Sequence, residues 1–291
     1  MDVREETVMK MGQQVVRWGV IAVLVACFTG CGSVPITGRK QLRLVPSSQM
    51  MAASADNYAK FLKENPPSKN AKGQAMVRRV GTRIQAAVEE YMAGAGYADS
   101  LKNYDWQFNL VDDDQINAWA MPGGRVVVYS GLLKVAETED GLAVVMGHEI
   151  AHAIAEHGTE RVSQMMLAQA GSIALAITLS QQQVENPQLW AAAFGVGVQF
   201  GALLPYSRLH ESEADELGLV FMSMAGYNPT ASVGFWQRMS AAGGDKPPEV
   251  LSTHPSDATR IRKLSEQIPE VMPLYLKAKA EREAETSRAL K

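Results

Sequence analysis

Gly147-His148-Glu149-Ile150-Ala151-His152-Ala153-Ile154-Ala155-Glu156-His157-Gly158 is the stretch that decides how this chain is read. It contains HExxH. On an α-helix, residues four apart lie about 40° apart around the axis and one turn along it. His148 and His152 therefore point the same way and can share one metal ion. Glu149 sits about 100° round from His148. It cannot join them in line, but it can reach a water held at that metal. Zinc lowers the pKa of such a water toward ~7, and a neighbouring carboxylate takes the proton. The flanks, Gly141–Met146 and Ala151–Glu156, contain no proline and support a helix.

A catalytic zinc usually has three protein ligands and one open position. A metzincin would need glycine at 155 and histidine at 158, where this chain has Ala155 and Gly158. His157 is one place off and, on a continuous helix, about 180° from His148. That makes it a surface or second-layer residue facing away from the metal. The best source of the third ligand is Ser207-Arg208-Leu209-His210-Glu211-Ser212-Glu213-Ala214-Asp215, in which Glu211 lies 59 positions past His152. Glu211 and Asp215 are four apart and share a helix face. One carboxylate can bind zinc while the other accepts the outer N–H of a ligating histidine and fixes its tautomer. His210 is a rival ligand. Ala214 permits close packing against the HExxH helix, and Glu213, about 200° from Glu211, reads as solvated.

The rest of the chain narrows the chemistry. With 291 residues, 46% of them hydrophobic and 20% charged, it is globular rather than disordered. Its length allows one large domain or two small ones. A net charge of -3 and no Lys/Arg-rich block argue against a nucleic-acid partner. The only cysteines are Cys27 and Cys31, which excludes a disulfide framework and a cysteine-based zinc site in the body of the protein. Any metal site must use histidine and carboxylate, and three of the five histidines fall within ten residues.

The N-terminus reads as an address. Trp18–Gly30 is an apolar run of 13 residues after Arg17, shorter than the ~18 a spanning helix needs. It has the dimensions of a secretory leader core. Phe28-Thr29-Gly30-Cys31 then resembles a bacterial lipobox, with Cys31 as the lipidated residue and residues 1–30 removed. Leu24-Val25-Ala26-Cys27 is a competing match that leaves a shorter core. Residues 31–46 form a tether, and 47–291 are expected to form one domain.

Along that domain, 47–64 reads as a helix closed by Asn65-Pro66-Pro67. Met76, Val80, Ile84 and Val88 mark an amphipathic helix over 73–92. The period then falls to two at Tyr104, Trp106, Phe108 and Leu110, a strand. Ile116–Met121 and Arg125–Ser130 read as strands of a hairpin around Pro122-Gly123-Gly124. From Glu137 onward the pattern is helical. The apolar runs 165–179 and 189–204 are expected to be buried helices, with membrane contact as the sharper reading. Thr253-His254-Pro255-Ser256 leads into a last pair of helices, and the charged stretch 278–291 is expected to fray.

HEIAH followed by Glu211, Ala214 and Asp215 resembles the gluzincin zinc metallopeptidases related to the HtpX heat-shock protease and the CAAX prenyl proteases. NAWAMPGGRVVVYSGLL (117–133), YSRLHESEADELG (206–218) and STHPSDATRIRKL (252–264) extend the resemblance to periplasmic lipoprotein members of the LoiP and BepA type. It implies a mostly helical α+β domain with a small sheet beside the HExxH helix. It implies one zinc ion per chain on His148, His152 and Glu211, with Glu149 as general base and Asp215 behind a ligating histidine. It also implies that Asn117, Ala118 and Trp119 bind substrate at a strand edge. His254 would stabilise the oxyanion or gate access, and Arg260 matches too. The expected function is a metalloendopeptidase, lipid-anchored through Cys31 on the periplasmic face of the bacterial envelope, more on the outer membrane's side. It would cleave unfolded or misfolded envelope and outer-membrane proteins, beside other envelope proteases or assembly machinery. Two alternatives stay open: a zinc-bound chaperone or assembly factor with gated proteolysis, and an integral membrane protease using 165–179 and 189–204 as spans.

Overall fold

The computed structural model describes residues 31–34, 37–242 and 257–289. The leader 1–30, His254 and the side chain of Cys31 lie outside the described residues. The chain divides into two compact units, Met1–Pro46 with Thr159–Tyr206, and Ser47–Gly158 with Ser207–Lys291.

The larger unit opens with helices α1 (Ser47–Glu64) and α2 (Ala71–Gly94). The i+4 spacing of α2 has its physical counterpart in Val80, Ile84 and Val88, which are fully buried. Asn70 caps its start by accepting from the Gly73 N–H at 3.0 Å. Strands β3 (Gln107–Val111), β4 (Ala118–Met121) and β5 (Arg125–Tyr129) form one sheet in the order β3-β5-β4. The expected hairpin is β4 and β5, antiparallel, while β3 joins β5 in parallel. Its turn uses Gly123 and Gly124 at φ +93° and +86°, which side chains rarely adopt. The alternation that starts at Tyr104 enters the sheet only at Gln107. Tyr104 and Trp106 stay outside it, with rings 5.2 Å apart.

A short helix α3 (Ser130–Ala136) leads to α4 (Glu139–Ile154), which carries HExxH. Thr138 accepts from the Gly141 N–H at 3.1 Å, and Glu139 and Asp140 occupy the first turn, where carboxylates suit the helix dipole. Every residue from Gly141 to His148 is buried. α4 packs against β4 and α2, so the small sheet does lie beside the motif helix. The chain continues through α5 (His157–Gln181), α6 (Pro187–Val198), a π-helical turn (Gln199–Leu203) and α7 (Leu204–Met224). Last come α8 (Ala231–Ala242) and α9 (Asp257–Ala289).

Three expectations need correction. The last pair of helices is a single helix, α9, which runs through Pro269 and Pro273. A proline inside a helix costs about 3 kcal/mol, and burial of Leu264 and Val271 on α9 offsets it. The same helix continues to Ala289, so the charged stretch 278–289 is helical. The runs 165–179 and 189–204 are helical but not buried: Leu189 is 70% exposed and Trp190 56%. The reason is that the smaller unit offers them little cover. It holds the two-stranded pair β1 (Cys31–Ser33) and β2 (Lys40–Leu42), and α5 and α6 touch along one side, where Gly171 faces Phe194. Arg39 ties the tether to the base of α5 through Glu160 at 2.8 Å, and the Leu44 N–H donates to Ser163 Oγ at 3.0 Å.

Candidate metal centre

Helix α4 presents His148 and His152 on one face, as their spacing requires. Their Nε2 atoms lie 3.1 Å apart. α7 brings Glu211 to the same point, with Oε2 at 3.5 Å from His148 Nε2 and Oε1 at 3.4 Å from His152 Nε2. Ligand atoms of these three residues all fall within 4.8 Å of one another, and no other such group occurs among the described residues. A tetrahedral zinc site with bonds of about 2.0–2.1 Å has ligand–ligand edges of about 3.3–3.4 Å. The observed separations fit those edges, and the donor set, two imidazoles and a carboxylate, suits zinc.

Close packing makes this convergence possible. A Cβ on Gly218 would lie 2.7 Å from the His148 backbone nitrogen, and one on Gly147 would lie 2.8 Å from the Gly218 carbonyl. The two helices therefore meet backbone to backbone. Ala214, the residue expected to permit this, is fully buried beside the contact. The tighter constraint sits at the glycines.

Two residues, Asp215 and Arg260, surround the converging three. Asp215 Oδ1 lies 2.9 Å from His148 Nδ1, although off the line of a straight hydrogen bond. Arg260, 4% exposed on α9, donates to Asp215 Oδ2 and to Glu211 Oε2, both at 2.7 Å. Its guanidinium lies 3.9 Å over the Trp236 ring, which holds it flat against both carboxylates. Arg260 thus positions the carboxylates and offsets part of their charge.

His157 and Glu213 are where the helical-wheel reading fails. α4 ends at Ile154, and Glu156 takes φ 54°, a left-handed residue whose carboxylate accepts from Ser47 Oγ at 2.9 Å. The chain folds back, and His157 returns beneath His152 instead of continuing away from it. Its Nδ1 is 2.8 Å from His152 Nδ1, and its Nε2 is 2.9 Å from Glu213 Oε2. Glu213 is buried, not solvated. His210 is not part of the ligand group; it stacks on His157 with ring centroids 4.3 Å apart.

One tautomer pattern satisfies these contacts. Glu213 accepts, so His157 Nε2 donates. Burial disfavours a charge on His157, so its Nδ1 is bare and accepts from His152 Nδ1–H. His152 Nε2 is then a free lone pair aimed at the centre, as a metal ligand needs. Burial also pushes His152 down to about 4, against the pull of Glu211. For His148, burial opposes the charged form, but Asp215 and Glu211 outweigh it and raise the group to about 10. Of these imidazoles, His148 is the one that the carboxylates favour in its charged form.

Glu149 lies next to His148 on α4 and is half-buried. Asn117 is exposed, Ala118 buried and Trp119 half-buried, at the start of β4. Trp119 packs edge-on against Phe61 at 5.0 Å and Tyr58 at 6.1 Å.

Comparison with known proteins agrees with this geometry. The model of peptidase family M48 matches residues 79–268. The mitochondrial metalloendopeptidase OMA1 of Schizosaccharomyces pombe is 34% identical over 84% of this chain and 68% of its own length. The human mitochondrial metalloendopeptidase OMA1 is 30% identical over 85% of this chain and 48% of its own. The beta-barrel assembly-enhancing protease of Escherichia coli is 29% identical over 62% of this chain and 38% of its own. The chain thus spans between about a third and two thirds of the length of these relatives. With two imidazoles and a carboxylate converging on one point, the chain belongs to peptidase family M48 and has the centre of a zinc metalloendopeptidase.

Proposed function

We propose that this chain is a lipid-anchored metalloendopeptidase of the bacterial envelope that cuts unfolded or misfolded envelope proteins, outer-membrane proteins among them. The observation that carries the chemistry is the convergence of His148, His152 and Glu211, with Glu149 beside them on α4. The three would hold zinc and leave a fourth position open to water or substrate. Bound there, zinc supplies polarisation of the scissile carbonyl and a water with its pKa lowered toward ~7. The Glu149 carboxylate takes the proton of the attacking water and delivers it to the departing amine. Asp215 and Arg260 keep His148 and Glu211 in place, and the His157–Glu213 pair does the same for His152. To His254, outside the described residues, we assign oxyanion stabilisation or gating of access.

Of the proposed substrate-binding residues Asn117, Ala118 and Trp119, the sheet register supports Ala118 as the one whose backbone is open to a peptide. The Tyr129 N–H donates to the Asn117 carbonyl at 3.0 Å. In an antiparallel pair, hydrogen-bonded positions recur every second residue. Asn117, Trp119 and Met121 therefore face β5, and Ala118 and Ala120 turn their backbone groups to the outer edge. β4 is one of the two edge strands of this sheet among the described residues, β3 being the other. An extended peptide adding there is gripped by its main chain, which suits cleavage of unfolded segments with weak sequence preference. Trp119 acts by anchoring the strand in the aromatic cluster.

The apolar run Trp18–Gly30 directly before Cys31 supports the envelope address, read as a leader over 1–30, lipid on Cys31, a tether over 31–46 and a peptidase domain over 47–291. Gly32, where an aspartate would favour inner-membrane retention, favours the outer membrane. The name of the E. coli relative supports substrates connected with β-barrel assembly. The mitochondrial relatives support the endopeptidase chemistry in another compartment.

The test is Glu149→Gln, assayed on casein with zinc content measured in parallel. Expected is a loss of about 10²–10⁴-fold in rate with zinc retained. Undiminished cleavage by this variant would overturn the mechanism.

A further inference from the structure

Between Arg161 and Arg208 the chain carries one charged side chain, Glu185. The charge-free runs on either side, 162–184 and 186–207, form the two arms of a helical hairpin made by α5 and by α6 with the start of α7. Glu185 sits in the polar connection Gln181-Gln182-Gln183-Val184-Glu185-Asn186. The helical part of the first arm, 162–181, is 20 residues, and that of the second, 187–207, is 21. At 1.5 Å per residue each is about 30 Å long, the thickness of a bilayer's hydrocarbon core.

We infer that this hairpin inserts into a lipid bilayer, with Arg161 and Arg208 at the headgroups of one leaflet and Glu185 at those of the other. Four observations support lipid rather than a protein partner. First, exposure is not confined to a stripe: residues 187–193 are all exposed, about two full turns. A docked protein covers one face of a helix, whereas lipid surrounds it. Large apolar side chains are exposed along both arms, among them Ile173 at 52% and Val196 at 57%. Second, two hydroxyls on the first arm are satisfied within their own helix. Ser172 and Thr178 turn their hydroxyls back to the carbonyls of Ala168 and Ala174, at 3.0 and 2.9 Å. Hydrocarbon would require this, because no water is available there. Third, the arms touch through a small residue, Gly171 against Phe194, the kind of contact helices use where no hydrophobic effect drives them together. Fourth, amphipathic aromatics mark both ends of the second arm, Trp190 near the tip and Tyr206 at the base, as at membrane interfaces. The tether ties into the base of the same hairpin through Arg39–Glu160, so the segment leading out of the proposed leader and the hairpin belong to one unit. The inference does not depend on the peptidase chemistry or on lipid at Cys31.

The test is fluorescence depth measurement on the full chain with Cys27→Ala and Cys31→Ala. Single cysteines are placed at Ile173→Cys, Leu189→Cys, Val196→Cys and, as a reference on α9, Leu276→Cys. Each is labelled with an environment-sensitive dye and mixed with vesicles of phosphatidylethanolamine and phosphatidylglycerol. Expected at 173 and 196 is a blue shift, with quenching stronger from nitroxides deep in the acyl chain than from nitroxides at the headgroup. Expected at 189 is the reverse order of quenching, and at 276 no change. Labels at 173 and 196 that stay in water, or that only headgroup nitroxides quench, would overturn the inference. So would labels already blue-shifted in lipid-free buffer in a concentration-dependent way, which would assign the surface to a second copy of the chain.

Discussion

Helix α4 and the α5–α6 hairpin are both rich in apolar residues, yet they end in opposite surroundings. From Gly141 to His148, α4 is buried without a break. From 187 to 193, α6 is exposed without a break. The difference does not lie in apolar content. α4 has a sheet, α2 and a glycine-faced partner helix to cover it, whereas the hairpin has mainly itself. Apolarity says that a segment leaves water; it does not say what it leaves water for. The polar residues mark the contrast more clearly. His148 and His152 of α4 converge with Glu211 of α7, whereas Ser172 and Thr178 in the hairpin turn back to carbonyls of their own helix.

This contrast can be broken most forcefully at the glycine contact. Gly218→Leu drives a side chain into the backbone of Gly147 and His148. A destabilisation of about 3 kcal/mol, with loss of zinc binding, is expected in denaturant titrations; an unchanged midpoint would mean that the helices are not held as described. Next comes the buried pair behind His152. His157→Ala leaves the three converging residues in place but removes the group that fixes the His152 tautomer. Zinc affinity should fall about 10–100-fold in competition with a chromophoric chelator. Equal affinity in mutant and parent would reduce His157 to packing.

The electrostatics offer a subtler measurement. His148 holds its proton in the metal-free protein up to about 10, whereas zinc needs a bare nitrogen. Zinc binding near neutral pH should therefore expel a proton. Below the raised value, affinity should climb about tenfold per pH unit, and it should level off as the pH passes about 10. Calorimetry in buffers of different ionisation enthalpy reads the proton directly, and heats independent of buffer would contradict the assignment. The smallest effect belongs to the hairpin. Leu189→Ser in lipid-free solution should move stability by no more than about 0.5 kcal/mol, because Leu189 is 70% exposed. A loss of about 2–5 kcal/mol, as for a core leucine, would erase the contrast.

Much of the centre was legible because it depends on local periodicity. HExxH places two imidazoles on one helix face, and the four-residue step from Glu211 to Asp215 does the same for two carboxylates. The His157–Glu213 pair behind His152 was not legible, because the wheel was carried past the point where the helix stops. The residue that breaks it, Glu156 at φ 54°, is neither glycine nor proline and gives no local warning. With His157 folded back, the side of α7 that bears Glu213 became an interior. The strands and the β4–β5 turn were readable from alternation and Pro-Gly-Gly. The parallel pairing of β3 with β5 was not, since sheet order is decided by contacts between segments far apart in the chain. The hairpin's apolar character was plain, but its exposure depended on how much surface the rest of its unit supplies.

The glycine seam also bears on how the protein handles an empty centre. Where Gly147 meets Gly218, the gap between two ligand-bearing helices is set by main-chain atoms, whose dimensions hardly vary, and not by side chains that swing between rotamers. The cage is therefore a preset mould. Metal leaving or entering it exchanges a proton and an ion without asking the surrounding polypeptide to refold.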